Sequence, residues 1–206
     1  MYLKYIQIVN YKNLRKTRFE FGKGANTVIG ENDSGKSNAS PDKTRRNDMI
    51  KILFICHGNI CRSPMAKYVM REMVENAGLS EHFYIDSAAT STEELGNPVY
   101  PPAVRKLSEH GIDCRGHAAR QITRADYDDY DLLIGMDGEN MYYMKRRWPV
   151  DTEGKLHLLL DFTDNPRDIS DPWYTRDFET TWREINEGCA ALLSHLRETG
   201  ALPRSV

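Results

Sequence analysis

Three things are scarce in this sequence: excess charge of one sign, long apolar runs and paired cysteines. Across 206 residues, 28 Lys and Arg stand against 30 Asp and Glu, a net charge of −2. No stretch approaches the ~18 consecutive apolar residues of a membrane-spanning helix, which excludes that class of protein. The opening MYLKYIQIVNYKNLRK has no apolar segment followed by a small-residue cleavage site, so it does not read as a signal peptide. The four cysteines, Cys56, Cys61, Cys114 and Cys189, form no C-x-x-C pair and no disulfide-framework spacing. The expectation is a cytoplasmic protein whose cysteines remain thiols, with neither a membrane nor a nucleic acid as partner. What the chain does have is 40% hydrophobic and 28% charged residues, a globular profile. Its length suits one ordinary domain plus a modest extra piece.

The near-neutral total hides a division. Residues 1–48 hold 10 Lys and Arg against 5 Asp and Glu, a net of +5, whereas residues 49–206 hold 18 against 25, a net of −7. Before the change lies NASPDKTRRND (38–48), polar throughout and broken by Pro41. The organisation read from this is a fragment over 1–40, a linker over 41–48 and a main domain over 49–206.

In the first piece, YLKYIQIV, TRFEF and NTVIG read as short strands. GENDSGKS (30–37) then fits G-x-x-x-x-G-K-[ST], in which Gly30 and Gly35 allow backbone N–H groups to wrap phosphates. Lys36 would reach the outer phosphates and Ser37 would hold a magnesium ion. Such a loop needs a helix directly behind it to focus charge on the phosphates. Here Pro41 and a run of charges follow instead. The stretch resembles the amino-terminal edge of ABC-type ATPases of the DNA-repair and phage-defence kind, over about 40 residues. The reading is a truncated, non-functional remnant, with nucleotide binding by the loop as an alternative.

The main domain opens on MIKILFI (49–55), nearly continuously apolar, the pattern of a parallel strand covered on both faces. CHGNICR follows, and then Ser63-Pro64 leads into MAKYVMREMVENAG with helical spacing of Met65, Val69 and Met73. Ser63 suits a helix cap and Pro64 a first helical position. The loop therefore joins the carboxyl end of a strand to the start of a helix, where open α/β sheets bind ligands. Five residues between Cys56 and Arg62 curl its N–H groups inward as an anion cradle. Gly58 permits close backbone approach, and Asn59 tolerates a left-handed conformation. Arg62 offers a planar fork to phosphate oxygens. Cys56, at the base, is exposed to the helix dipole, the N–H groups and Arg62, each of which favours thiolate.

C-x5-R-S-P directly behind a first strand resembles the low-molecular-weight protein tyrosine phosphatases. DSAATS (86–91), GHAARQIT (116–123), DYDLLIGMDGEN (129–140) and DPWY (171–174) resemble that family's segments in its order. The resemblance implies a metal-independent phosphatase that needs no cofactor, hydrolyses phosphotyrosine in proteins or small aryl phosphates, and passes through a phosphocysteine on Cys56. It implies Asp171 as general acid, in a loop that Pro172 stiffens. Asn59, Ser63, His117 and Asp137 become supporting residues: Ser63 donates to the Cys56 sulfur, with the helix cap as its competing role, and Asn59 and His117 hold the loop in shape. His57, Gly58, Ile60 and Cys61 line the binding loop. For Cys61 the family suggests a reversible disulfide with the nucleophile, and plain packing is the alternative. Trp173 and Tyr174 either stack on the substrate ring or pack their loop onto the last helix. Asp137 has the competing role of capping the helix it precedes. Glu93 and Glu94 stand where the family often places an aromatic residue, and His57 where it has a small or aliphatic one. Both departures point towards basic or smaller substrates, while Ile60 favours phosphotyrosine over phosphoarginine.

The remaining pattern completes the architecture. HFYIDSA, DLLIGM and KLHLLL read as further strands; PPAVRKLSEHG, DGENMYYMKRRW and RDFETTWREINEGCAALLSHLRE read as helices. Alternation of this kind predicts a doubly wound α/β fold with a four-stranded parallel sheet in flavodoxin-like order. DYDDYD (126–131) reads as a solvated turn. Two competing functions stay in view. An arsenate reductase of the same fold would need closely spaced shuttle cysteines, which Cys114 and Cys189 do not provide, and a nucleotide-binding module would use residues 30–37. Oligomeric state is not legible in the sequence.

Overall fold

A computed structural model of the chain describes residues 5–8, 17–20 and 49–202. The chain divides into two units, Met1–Arg46 and Asn47–Val206. In the first, β1 (Tyr5–Ile8) and β2 (Thr17–Glu20) pair antiparallel, with Tyr5 opposite Glu20 and Ile8 opposite Thr17. The expected strand NTVIG and the loop with Gly30, Gly35, Lys36 and Ser37 lie outside the described residues.

The second unit is built around β3 (Ile50–Cys56). It pairs in parallel with β4 (Phe83–Ala89) on one side and β5 (Leu132–Gly135) on the other, and β6 (Leu156–Leu158) extends the sheet beyond β5. The order β4-β3-β5-β6 is that of a doubly wound, flavodoxin-like sheet, as the alternating pattern predicts. Ile52, Leu53, Phe54 and Ile55 are completely buried because β3 is covered on both faces. Its side chains alternate between two cores: Ile52, Phe54 and Cys56 enter one, Leu53 and Ile55 the other. The first core is closed by α1 (Arg62–Asn76), α2 (Pro101–Glu109) and α6 (Phe178–Glu198); the second receives Met144 of α4 (Gly138–Arg147) and Trp148. Short helices α3 (Asp126–Asp129) and α5 (Pro172–Thr175) complete the set. Among the described residues, no helix is long and apolar enough to cross a membrane.

α6 shows how the pattern selects its element. Thr181, Trp182, Ile185, Gly188, Cys189, Leu192, Leu193 and Leu196 recur at three and four residues and are its buried stripe. Asp177 caps it by accepting from the Thr180 N–H at 2.9 Å.

Three expectations need correction. Ser63 does not cap α1: the helix starts at Arg62, Cys61 holds the cap position, and the Ser63 hydroxyl is turned inward towards Cys56. KLHLLL is a strand only over Leu156–Leu158, after which Leu159–Phe162 forms a 3-10 turn that buries Leu159 and Leu160. DYDDYD is not a solvated turn throughout. Asp126 and Tyr130 are buried, because Arg120 donates to both Asp126 carboxylate oxygens at 3.2 Å and to the Tyr130 hydroxyl at 3.2 Å.

Candidate active site

The sheet order reverses at β3, and the loop 56–62 leaves its carboxyl end there. The loop's shape depends on Asn59. Its φ of +58° puts a non-glycine residue in the left-handed region, a conformation costing about 1 kcal/mol. Asn59 is fully buried and held from several directions. Its Nδ2 donates to the Ser63 and Ser87 hydroxyls, both at 2.9 Å, and its Oδ1 accepts from the Arg120 N–H at 3.2 Å. Its carbonyl accepts from His117 Nε2 at 2.7 Å. Burial lowers the His117 pKa against the opposing pull of that carbonyl, so the ring is neutral and carries its proton on Nε2. Backbone bonds strap the same loop to its neighbours: Thr90 N–H to the Cys56 carbonyl, Ser91 N–H to that of His57, and Tyr100 N–H to that of Ile60.

Two polar groups converge on the Cys56 sulfur. The Asn59 N–H lies 3.3 Å away and the Ser63 Oγ 3.1 Å away. Asn59 Nδ2 already occupies an acceptor position of Ser63, which leaves the hydroxyl proton for the sulfur or for the Ala88 carbonyl at 3.4 Å. Cys56 is nearly buried, at 3% exposure, and opens onto the cavity described below.

Arg62 is buried between two carboxylates. Its Nη1 donates to Asp137 Oδ2 and its Nη2 to Asp171 Oδ2. Nη1 also reaches the Ile169 carbonyl at 3.3 Å. Burial alone would lower the guanidinium pKa; the charges of Cys56, Asp171 and Asp137 outweigh it and raise it. Each carboxylate also serves its own chain. Asp137 caps α4 through Oδ1 and the Asn140 N–H at 2.7 Å, so the two roles read for it coexist on different oxygens. Asp171 caps α5 through Oδ1 and the Trp173 N–H at 2.9 Å. A residue that caps a helix with one oxygen and grips Arg62 with the other is fixed in place by both.

Cys56, His57, Gly58, Ile60, Cys61, Arg62, Asp171, Trp173 and Tyr174 all line one cavity of about 140 Å³. Burial, and then the neighbouring Cys56 and Asp171 charges, push the Cys61 thiol well above its ordinary value, so it stays protonated. Trp173 is 44% exposed and packs near Tyr100, ring centroids 5.5 Å apart; Tyr174 is 81% exposed. His57 Nε2 lies 3.1 Å from Glu93 Oε2. Glu93, Glu94 and Glu139 border the same cavity. Sequence reasoning missed Glu139 and gave no role to Ser87 or Arg120, although DSAATS and GHAARQIT contain them. Among the described residues, no group of three or more His, Cys, Asp or Glu side chains is arranged to hold a metal ion.

Residues 51–202 match the family model described as low molecular weight phosphotyrosine protein phosphatase. The chain belongs to this family. It is 36% identical over 152 residues to the low molecular weight protein-tyrosine-phosphatase YfkJ of Bacillus subtilis, covering 73% of this chain and 97% of that one. It is 38% identical over 148 residues to low molecular weight phosphotyrosine protein phosphatase 1 of Drosophila melanogaster, covering 69% and 94%. The crystal structure of YfkJ from Bacillus subtilis superposes with a TM-score of 0.73 at 35% identity, covering 75% of this chain and 99% of that one. Residues 1–50 lie outside the phosphatase family match.

Proposed function

We propose that this phosphatase hydrolyses phosphotyrosine, in proteins or as small aryl phosphates, through a phosphocysteine on Cys56. The observation that carries the reading is the convergence on one sulfur of the Asn59 N–H and the Ser63 hydroxyl, at the foot of an anion-shaped loop whose end is Arg62. A sulfur held in this way at the floor of the cavity is placed to act as a nucleophile.

In the first step the Cys56 sulfur attacks phosphorus, an S–P bond forms and the ester P–O bond breaks. Asp171 gives its proton to the departing phenolate oxygen. In the second, water attacks the phosphocysteine and Asp171 takes its proton. The S–P bond breaks, releasing inorganic phosphate and the thiolate, which the Ser63 hydroxyl stabilises as it leaves. Arg62 and the loop N–H groups hold the spreading phosphoryl charge. With both terminal nitrogens of Arg62 already on carboxylates, phosphate binding implies an exchange. Phosphate oxygens take over Nη2 from Asp171, and the freed carboxylate takes up a proton from solvent and turns to the leaving oxygen as the acid of the first step. Asp137, anchored on α4, keeps Nη1 and holds the guanidinium in its plane. His117 holds the Asn59 turn rather than moving protons. Because the nucleophile works only as a reduced sulfur, the cytosol is the fitting compartment.

Hydrolysis of p-nitrophenyl phosphate in the presence of EDTA tests this. The wild type is expected to turn over, and Cys56→Ser to lose activity by more than about 10³-fold. Activity retained in Cys56→Ser would refute the mechanism.

A further inference from the structure

The phosphate loop is built to attract an anion, yet the mouth above it is lined with negative charge. Glu93, Glu94 and Glu139 border the cavity, while its buried cation, Arg62, is already matched by Asp137 and Asp171. His57, the other lining residue able to carry positive charge, is taken up by Glu93, and Arg176 beyond the rim is stacked on Trp173. A lone phosphate dianion entering this mouth meets like charge at close range.

Glu94 is held in place. Its stem lies against Gly58, where an added β-carbon would stand 3.1 Å from Glu94 Cγ, and its carboxylate accepts from Asn97 Nδ2 at 2.6 Å. The charge it projects reaches the loop, since it contributes to raising the Cys61 thiol. Glu139 is exposed in the first turn of α4, two residues after the Asp137 that grips Arg62. Each has a local use: Glu94 in its turn, Glu139 at a helix N-terminus, Glu93 against His57. Those uses do not account for all three bordering the entrance to an anion site. Beside them the Trp173 ring already carries the Arg176 guanidinium 5.5 Å from its centroid, whereas Tyr174 leaves aromatic surface open, and such surface accepts an aryl ring or a cation.

We propose that the mouth selects phosphotyrosine flanked by Lys or Arg: the substrate carries its own cation to Glu94 and Glu139 while the phosphate enters the loop. This rests on the phosphatase reading and names its substrate class. Exposed carboxylates act through steering and through rejection of like-charged partners more than through tight pairing, and salt screens them.

The test compares, on the full chain, two phosphotyrosyl peptides of equal length, one flanked by Arg and one by Asp, with p-nitrophenyl phosphate as a reference without flanking charge. At low ionic strength the wild-type kcat/KM is expected to favour the Arg peptide roughly tenfold. In the Glu94→Gln/Glu139→Gln double variant the ratio should fall to within about threefold, chiefly because the Asp peptide improves. About 0.5 M NaCl should flatten the wild-type ratio in the same way. A wild-type ratio near one with p-nitrophenyl phosphate hydrolysis intact overturns this inference alone, as does a preference that survives in the double variant. Loss of hydrolysis of all three substrates by wild type overturns the phosphatase reading and this one with it.

Discussion

At the residue scale, the site depends on a strained asparagine held by neighbours distant in sequence. His117 is one of them, and its lowered pKa makes a pH prediction. Above the ordinary histidine value of 6.5 the ring is neutral in both folded and unfolded chains, and its contribution to stability is fully present. As pH falls below that value the unfolded chain takes up the proton first, and the contribution shrinks towards the lower folded value. His117→Gln puts a non-titrating amide donor in reach of the same Asn59 carbonyl. Wild-type melting temperature relative to His117→Gln should therefore decline as pH is lowered from about 7.5 to about 5. Parallel curves would show that the ring does not stay neutral against Asn59. Cys56 and Arg62 were legible from a loop length, because only five residues separate them, whereas Asp171, 109 residues from the Arg62 it meets, was reached through the resemblance of DPWY to the family. The roles of Ser87 and Arg120 were not legible, since Arg120 lies 61 residues from the Asn59 it holds. The inward turn of Ser63 was expected only through the family resemblance: taken alone, a serine beside a proline at a helix start looks the same whether it caps the helix or faces a sulfur.

At the scale of elements, apolar patterning was sufficient for the sheet. The continuous run of β3 became its doubly covered centre, and the stripe of α6 became the longest helix. The close packing beneath that stripe was invisible. Gly188 faces Leu159, and a β-carbon there would stand 2.6 Å from Leu159 Cγ and 3.2 Å from its carbonyl oxygen. Leu159 is fully buried and its Cγ has little freedom to move. Alanine improves helix propensity by about 1 kcal/mol, whereas overpacking costs ~1–3 kcal/mol and should prevail. Gly188→Ala is expected to lower the melting temperature by a few degrees. An unchanged or raised value would mean that α6 shifts away from the turn at little cost.

At the scale of the whole molecule, the change of charge near residue 48 and the phosphatase family match from residue 51 fall close together. All the residues assigned to the site belong to the second unit, and we assign the catalysis to it. Its charge distribution also has a logic: a domain of net −7 binds an anion only where N–H groups and Arg62 are concentrated, and its acidic rim then governs which anions arrive. The claim on which all of this rests is covalent. Acid quench of the full chain during p-nitrophenyl phosphate turnover, followed by peptide mass spectrometry, examines it directly. The account predicts phosphate on the peptide containing Cys56, attached to that sulfur and absent in Cys56→Ser. Turnover without a phosphorylated peptide, or phosphate carried by Cys61 or a serine, would contradict it.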